Sequence, residues 1–488
     1  MPTKTRKMRS VLMTGASTAL LATFGASSAL AQSVTETAAV SISKEQQFNS
    51  YTTPTAGLVL NGNTQGSVNA NVTNNDATAY ALQNSTVSVG SSATTGNASS
   101  ASGYANSASL TVNGDLNNVT GSGYATVGAS SVAATTAATV EGTTDIGISL
   151  SQQNTSTVAT VTDNTAMGIT IDHGASASTA TLVGNSQSAT GVLNSGVNAL
   201  NLDVNNSSGS GGVAAAQSSL NSSLTATTAG SVGFTTGSGP STNALLNSTV
   251  ALTDNNQKAT AVANSGSNTQ SVTGNAITLA AQSTGQATAG ATYVAGASAT
   301  HNTSAIAGYA TVSKQELAVS TAGAKTVTAL INDAGTNFGA SVTGNVVGST
   351  LSNDSNEATA LARGNEVSNA TTIAANSIAT GTLASPASGT VAAIASQQET
   401  TVATGTLSIV AQMGGAGSDA AIVSNAITGD VTTSSALSAS DNAVLADAAA
   451  NRGGSAITAS ATTITTLGTE APSAGVGSGV APANAAFA

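Results

Sequence analysis

Residues 356–365 read "NEATALARGN". Ala, Glu, Leu and Arg are good helix formers, yet the chain around them is built from Ser, Thr, Asn, Gly and Val, which favour strands and turns. The decapeptide is not alone. "NDATAYALQN" (75–84), "NSQSATGVLN" (185–194), "NNQKATAVAN" (255–264) and "NAVLADAAAN" (442–451) align with it without gaps. Two asparagines stand nine apart in each copy: Asn75 and Asn84, Asn185 and Asn194, Asn255 and Asn264, Asn356 and Asn365, Asn442 and Asn451. Between them, the +4 position holds Ala79, Ala189, Ala259, Ala360 or Ala446, and the +6 position holds Ala81, Gly191, Ala261, Ala362 or Ala448. The pattern is N-x3-A-x-[AG]-x2-N.

Geometry separates helix from strand. Positions two apart point about 200° from each other on a helix, but share one face on a strand. The residue between the two tiny positions is Tyr80, Thr190, Thr260, Leu361 or Asp447, with no common size or polarity. One face restricted to Ala or Gly beside an unrestricted face predicts a strand with a crowded inner side.

A second marker precedes each copy: "KEQQF" (44–48), "LSQQN" (150–154), "AAQSS" (215–219), "SKQEL" (313–317) and "ASQQE" (395–399). The chain therefore holds about five long units, each a Gln segment followed by an Asn–Ala segment. The Asn–Ala copies are spaced by 110, 70, 101 and 86 residues. Units so long and uneven read as several solenoid turns apiece, at roughly 20 residues per turn. About 20 such turns at about 4.8 Å would make a rod of order 100 Å. Strands rich in Ala and Val bury too little surface alone and have to stack. Stacked Asn or Gln can bond amide to amide, and Asn at turns tolerates left-handed backbone angles. The expected fold is all-β: an elongated repeat β-solenoid, or a cross-β fibre subunit, over residues 32–467. Residues 468–488 read as a flexible C-terminal tail.

Composition agrees with a thin core. Charged residues are 6% of 488 and aromatics 2%, with no Cys or Trp; an enzyme of this length would carry about a quarter charged residues. No disulfide framework or thiolate metal site is available. Lys4, Arg6, Lys7 and Arg9 precede an apolar run that ends in Ala29-Leu30-Ala31. This is the pattern of a secretory signal peptide over 1–31, cut between Ala31 and Gln32. Its removal leaves six basic residues against 21 acidic ones, a balance that disfavours nucleic acid as a partner.

Chemistry-bearing motifs are scarce. His173 and His301 have no ligand partner at metal spacing. Asp115, Asp145, Asp203 and Asp333 are scattered rather than paired as a sugar hydrolase requires. "NDSN" (353–356) lacks the glycine and glutamate of a calcium loop. The run "SGSGG" (208–212) has no following Lys-Ser/Thr for a phosphate loop. No cofactor, metal or catalytic residue is assigned.

With the signal segment, the "GN…N-x3-A-T-A" units and the Asn-, Ala- and Thr-rich body, the chain resembles secreted β-strand-repeat surface proteins of Gram-negative bacteria. More narrowly, it is similar to the holdfast anchor (holdfast attachment protein D) family of stalked alphaproteobacteria. That resemblance implies export through a curli-type outer-membrane secretion pore. It further implies localisation at the outer-membrane surface or outside the cell, and a non-catalytic adhesin role that tethers an adhesive extracellular polysaccharide, with other envelope anchor proteins as partners. The alternatives are a curli-like, amyloid-like fibre of the biofilm matrix that self-associates, an ice-binding solenoid, and a β-helix carbohydrate-active enzyme. An ice-binding face needs regular T-x-T rows, of which "TTITT" (462–466) is a lone instance.

The expected outcome of N-terminal sequencing on the exported protein is a start at Gln32; an intact Met1 on the surface form would contradict the signal-peptide reading.

Overall fold

The computed structural model describes residues 40–49, 55–60, 67–72, 93–95, 98–119, 125–129, 138–144, 146–163, 167–171, 175–176, 179–207, 211–236, 243–279, 287–295, 299–331, 338–380, 391–414, 423–432, 434–466, 473–476 and 485–487. The signal segment 1–31 with the Ala31–Gln32 junction, the copy Asn75–Asn84 with Ala79 and Ala81, and His173 lie outside the described residues. Thr35–Ala488 forms one compact unit.

The described residues are all β, with parallel sheets and no helix. "NEATALARGN" lies almost entirely in the strand Glu357–Thr380. It pairs with the Asn strands Asn256–Leu279 and Ala443–Thr466, with Ser186–Ser207 and then Ala98–Val119 beyond Asn256–Leu279. All five run parallel and in register. The five Gln segments lie on a second parallel sheet: Val40–Asn49, Ile146–Thr155, Gly211–Leu220, Tyr309–Val319 and Ala392–Val402. Shorter strands between them, such as Val158–Asp163, Ser223–Thr228, Ala324–Ile331 and Thr406–Met413, stack in the same way.

These pairings make the protein a parallel β-solenoid and correct the expected turn length. The strands of the Gln, Asn and shorter parallel sheets pair with their counterparts one whole unit away, apart from Ser67–Val72, which pairs with Ala98–Val119. Ladder partners accordingly lie 88, 70, 101 and 86 residues apart in sequence. One long unit is one turn, here called a rung, and the described residues form five. Five strands at about 4.8 Å give a stack about 20 Å deep, not a rod of order 100 Å. The uneven unit lengths are absorbed by the connections between rungs. Two of these connections contribute the strands Ala125–Ala129, Ala138–Thr144, Ala287–Ala295 and Ala299–Ala307, which form an antiparallel sheet. This sheet packs on the outer face of the Gln strands, so Tyr309–Val319 is buried along its full length.

Within 468–488, the described residues are strands. Ser473–Val476 pairs with the antiparallel sheet, and Ala485–Phe487 pairs antiparallel with the last Gln strand.

The corners show why small polar residues dominate. Strands are joined by tight two-residue turns whose first residue has a left-handed φ: Ser156 and Asn221, Asn247 and Gly348, then Gly184, Asp254, Ser355 and Asp441. Short polar side chains and glycine tolerate this region; β-branched and bulky ones do not. At the corners before Asn185, Asn255, Asn356 and Asn442, the left-handed residue precedes the first Asn, so that Asn does not itself take the strained angle.

Two apolar clusters fill the rungs. One joins the first half of the Asn strands to the short strands, with Leu182, Leu224, Phe234, Val327 and Phe338 at its centre. The other lies between the Gln strands and the second half of the Asn strands, around Ile148, Leu150, Leu200, Val272 and Ile373. The tiny-residue positions face the first cluster: Ala189, Ala259, Ala261, Ala360 and Ala362 are fully buried. At Gly191 a Cβ would come within 2.8 Å of Leu224, which is why this face excludes larger side chains. Ala446 and Ala448 occupy the same columns in the fifth rung but are exposed, because no rung covers them.

Ala360→Phe overpacks this face and is expected to cost about 1–3 kcal/mol or more. Leu361→Thr, on the half-buried opposite face, is expected to cost much less; equal losses in denaturant midpoint would contradict the assignment of faces.

Candidate functional site

The second Asn of each repeat closes a continuous ladder. Asn106 Nδ2 donates to Asn194 Oδ1 at 3.0 Å, and Asn194, Asn264 and Asn365 each donate to the next Asn at 2.7 Å, ending at Asn451. Each Asn also reaches across the interior to the Gln strand. Asn106, Asn194, Asn264 and Asn365 donate to the carbonyls of Gln153, Ser218, Glu316 and Glu399 at 2.7–3.0 Å. The Gln strand reciprocates: Gln152, Gln217, Gln315 and Gln398 donate to the carbonyls of Ser195, Ser265, Glu366 and Arg452 at 2.7–2.8 Å. Those glutamines form their own ladder, Gln398 to Gln315 to Gln217 to Gln152, at 2.7–2.8 Å. A polar seam thus runs between the two apolar clusters, and both sequence markers meet in it. Stacked identical amides can do this because parallel in-register strands place donor and acceptor one strand spacing apart.

The first Asn of each repeat makes a corner ladder. Asn255 Oδ1 accepts from both the backbone N–H and Nδ2 of Asn185, at 3.0 and 2.9 Å. Asn356 and Asn442 receive the same pair of bonds from the preceding Asn. A third ladder, Asn198 to Asn268 to Asn369, was not anticipated. Its signal was present in the sequence, as a further Asn four residues after Asn194, Asn264 and Asn365.

The first rung adds a copy to those read from the sequence. The segment in register with 186–194 is 98–106, with Ala101 against Ala189, Gly103 against Gly191 and Asn106 against Asn194. It belongs to "NASSASGYAN" (97–106), which fits N-x3-A-x-[AG]-x2-N as well as 75–84 does. The pattern alone offers both segments; strand pairing places 98–106 in register with 186–194, and 75–84 lies outside the described residues.

Charge is sparse inside. Arg363, 2% exposed, forms an ion pair with Asp447 of the next rung, and Arg452 lies 3.5 Å from the same carboxylate. Lys314 and Glu316 flank Gln315 on the opposite strand face, under the antiparallel sheet. Burial pulls the Lys314 ammonium down to about 8 against the opposing pull of Glu316 and Glu399. Burial, with Glu399 beside it, pushes the Glu316 carboxyl up to about 8.

The outward face of the Asn strands is polar and repetitive. One column reads Asn201, Ser271, Thr372, Thr458 and the next Asp203, Thr273, Ala374, Ser460. Asn376 and Asn275 bond amide to amide on the exposed surface at 3.0 Å. The run "TTITT" stacks on Ser377–Thr380 with Thr465 over Ala379, so its threonine row does not continue. Among the described residues, no group of three His, Cys, Asp or Glu side chains is placed to hold a metal ion. The niche lined by Leu150, Gly196, Gln217, Gly266 and Val367 has no room for a water molecule.

No family model matches the chain, and no curated protein or solved structure matches it either.

Asn264 is fully buried and takes part in four seam bonds, with Asn194, Ser219, Glu316 and Asn365. Asn264→Ala therefore strands several buried groups and is expected to lower unfolding stability by about 3 kcal/mol or more, whereas Asn451→Ala at the exposed end should cost about 1 kcal/mol. Chemical denaturation of the two variants checks the difference.

Proposed function

We propose that the chain is an exported, non-catalytic structural protein of the outer-membrane surface that anchors an adhesive polysaccharide. The observation that carries this reading is the outward face of the Asn strands. It presents Asn, Ser, Thr and Asp side chains rung after rung, with few charges, at the spacing of the strands. Amides and hydroxyls suit glycan hydroxyls, and contacts that are weak singly gain strength when repeated along one chain. The interior amides support the reading too, since they bond to each other and to backbone carbonyls instead of converging on a cleft. The signal segment and the resemblance to holdfast anchors add the envelope setting, with a curli-type pore as the route and other anchor proteins as neighbours.

A deletion strain is expected to lose surface attachment and to shed adhesive polysaccharide into the medium, with the tagged protein labelled on intact cells. Normal attachment without shedding, together with protein confined to the soluble periplasm, would refute the anchor role.

A further inference from the structure

The fifth rung ends in exposed apolar columns. Val402, Val431, Leu437, Val444 and Ile464 are 42–57% exposed, whereas the residues below them in the same columns, Val319, Val346, Leu351, Ala358 and Ile378, are at most 1% exposed. Each column is core material that simply stops. The backbone stops as well: among the described residues, Thr406–Met413, Val423–Ile427, Ala436–Ser438 and Ala443–Thr466 each have a strand partner on one side only. At the other end of the stack, Val40–Asn49, Thr55–Leu60 and residues 104–119 are likewise paired on one side only among the described residues.

The amide ladders have a direction, and their two ends differ. In the Asn ladder every rung donates to the rung after it. Asn106 Oδ1 in the first rung is therefore left as a buried acceptor with no partner. Asn451 Nδ2 in the fifth rung is left as an unbonded donor, the bonds of Asn451 all falling on its oxygen. The Gln ladder runs the opposite way. Gln398 spends its nitrogen on Gln315 and Arg452, which leaves its Oε1 free to accept. Gln46 stands in the same column of the first rung, by its register with Gln152.

We infer that the fifth rung of one copy binds the first rung of a second copy of this chain, in the register already used between rungs. Asn451 Nδ2 then donates to Asn106 Oδ1 of the next copy, Gln398 Oε1 accepts from its Gln46, and the open apolar columns continue. Two identical ends cannot satisfy each other, because donor would meet donor and the strands would run antiparallel. The contact is head-to-tail and does not close, so it propagates into a filament with a rise of about 24 Å per copy. Two short strands stand in the way: Ser67–Val72 on the first Asn strand and Ala485–Phe487 on the last Gln strand. Among the described residues these strands cover only six and three positions of a whole rung; stacking displaces them and uncovers Asn106, which is buried within the single copy. This assembly does not depend on the anchor role, since a chain that stacks yet is dispensable for attachment would uphold one and sink the other.

Asp115, Asp203, Thr273, Ala374 and Ser460 form one column, and the chain contains no cysteine. Asp115 and Ser460 are four rungs apart within a copy, about 19 Å, and adjacent between stacked copies, at about 4.8 Å and within disulfide reach. The double variant Asp115→Cys/Ser460→Cys of the full chain, mildly oxidised, is expected to give a ladder of multimers on a non-reducing gel. Neither single variant should give one. A double variant that stays monomeric up to its solubility limit, or a Ser460→Cys single variant that dimerises as readily, overturns the head-to-tail contact. In the cysteine-free background, Val444→Lys/Ile464→Lys changes only exposed positions and should weaken association at least about tenfold in sedimentation. Unchanged sedimentation would likewise overturn it.

Discussion

Everything in this molecule depends on keeping buried side-chain amides hydrogen-bonded. An amide taken out of water without a partner costs a few kcal/mol, and this interior holds rows of them. Stacking the same residue directly above itself satisfies each amide with its own copy in the next rung. That solution works only if successive rungs align to the residue, which is why Asn194, Asn264 and Asn365 keep their register although 70 and 101 residues separate them. The ladders thereby specify alignment in a way that the interchangeable Ala and Val columns cannot. A slip by two residues would keep the same faces inward and the apolar columns partly matched, yet break every ladder.

The seam also explains how a chain with 2% aromatics fills a rung of 70 to 101 residues. No single apolar core spans the section. Two modest clusters, one lined by Ala and Leu with two phenylalanines and one by Ile, Leu and Val, sit on either side of the Asn–Gln braces. The braces tie the Gln sheet to the Asn sheet at each rung, so neither cluster has to be thick. Alanine at 360 and 362 and glycine at 191 follow from this: the short strands approach closely where no large side chain separates them.

The same regularity leaves the ends exposed. In a closed fold the last strand is covered or blunted by charge and proline. Here the fifth rung carries uncovered valine, leucine and isoleucine, and its only direct cover among the described residues is three residues of the C-terminal segment. An interior built by repetition has no internal reason to stop, and the first and last rungs differ from the others in little besides having a free side.

The sequence by itself determined the all-β class, the strand assignment of "NEATALARGN", the inward placement of Ala360 and Ala362, and the five Gln-then-Asn units. Each of these is a local consequence of the two-residue period, which reads directly from the spacing of small residues. The length of a turn was not legible. A period of 70 to 101 residues is as compatible with several short turns as with one long one, and only strand pairing says which residues lie above which. For the same reason the pattern could not choose between 75–84 and 97–106 as the first copy. The reciprocal bonds between Gln217 and the Ser265 carbonyl, and between Asn264 and the Glu316 carbonyl, join segments about 50 residues apart. Their meeting is decided by how many strands each rung folds before it returns, a property of the closed section and not of any stretch of chain.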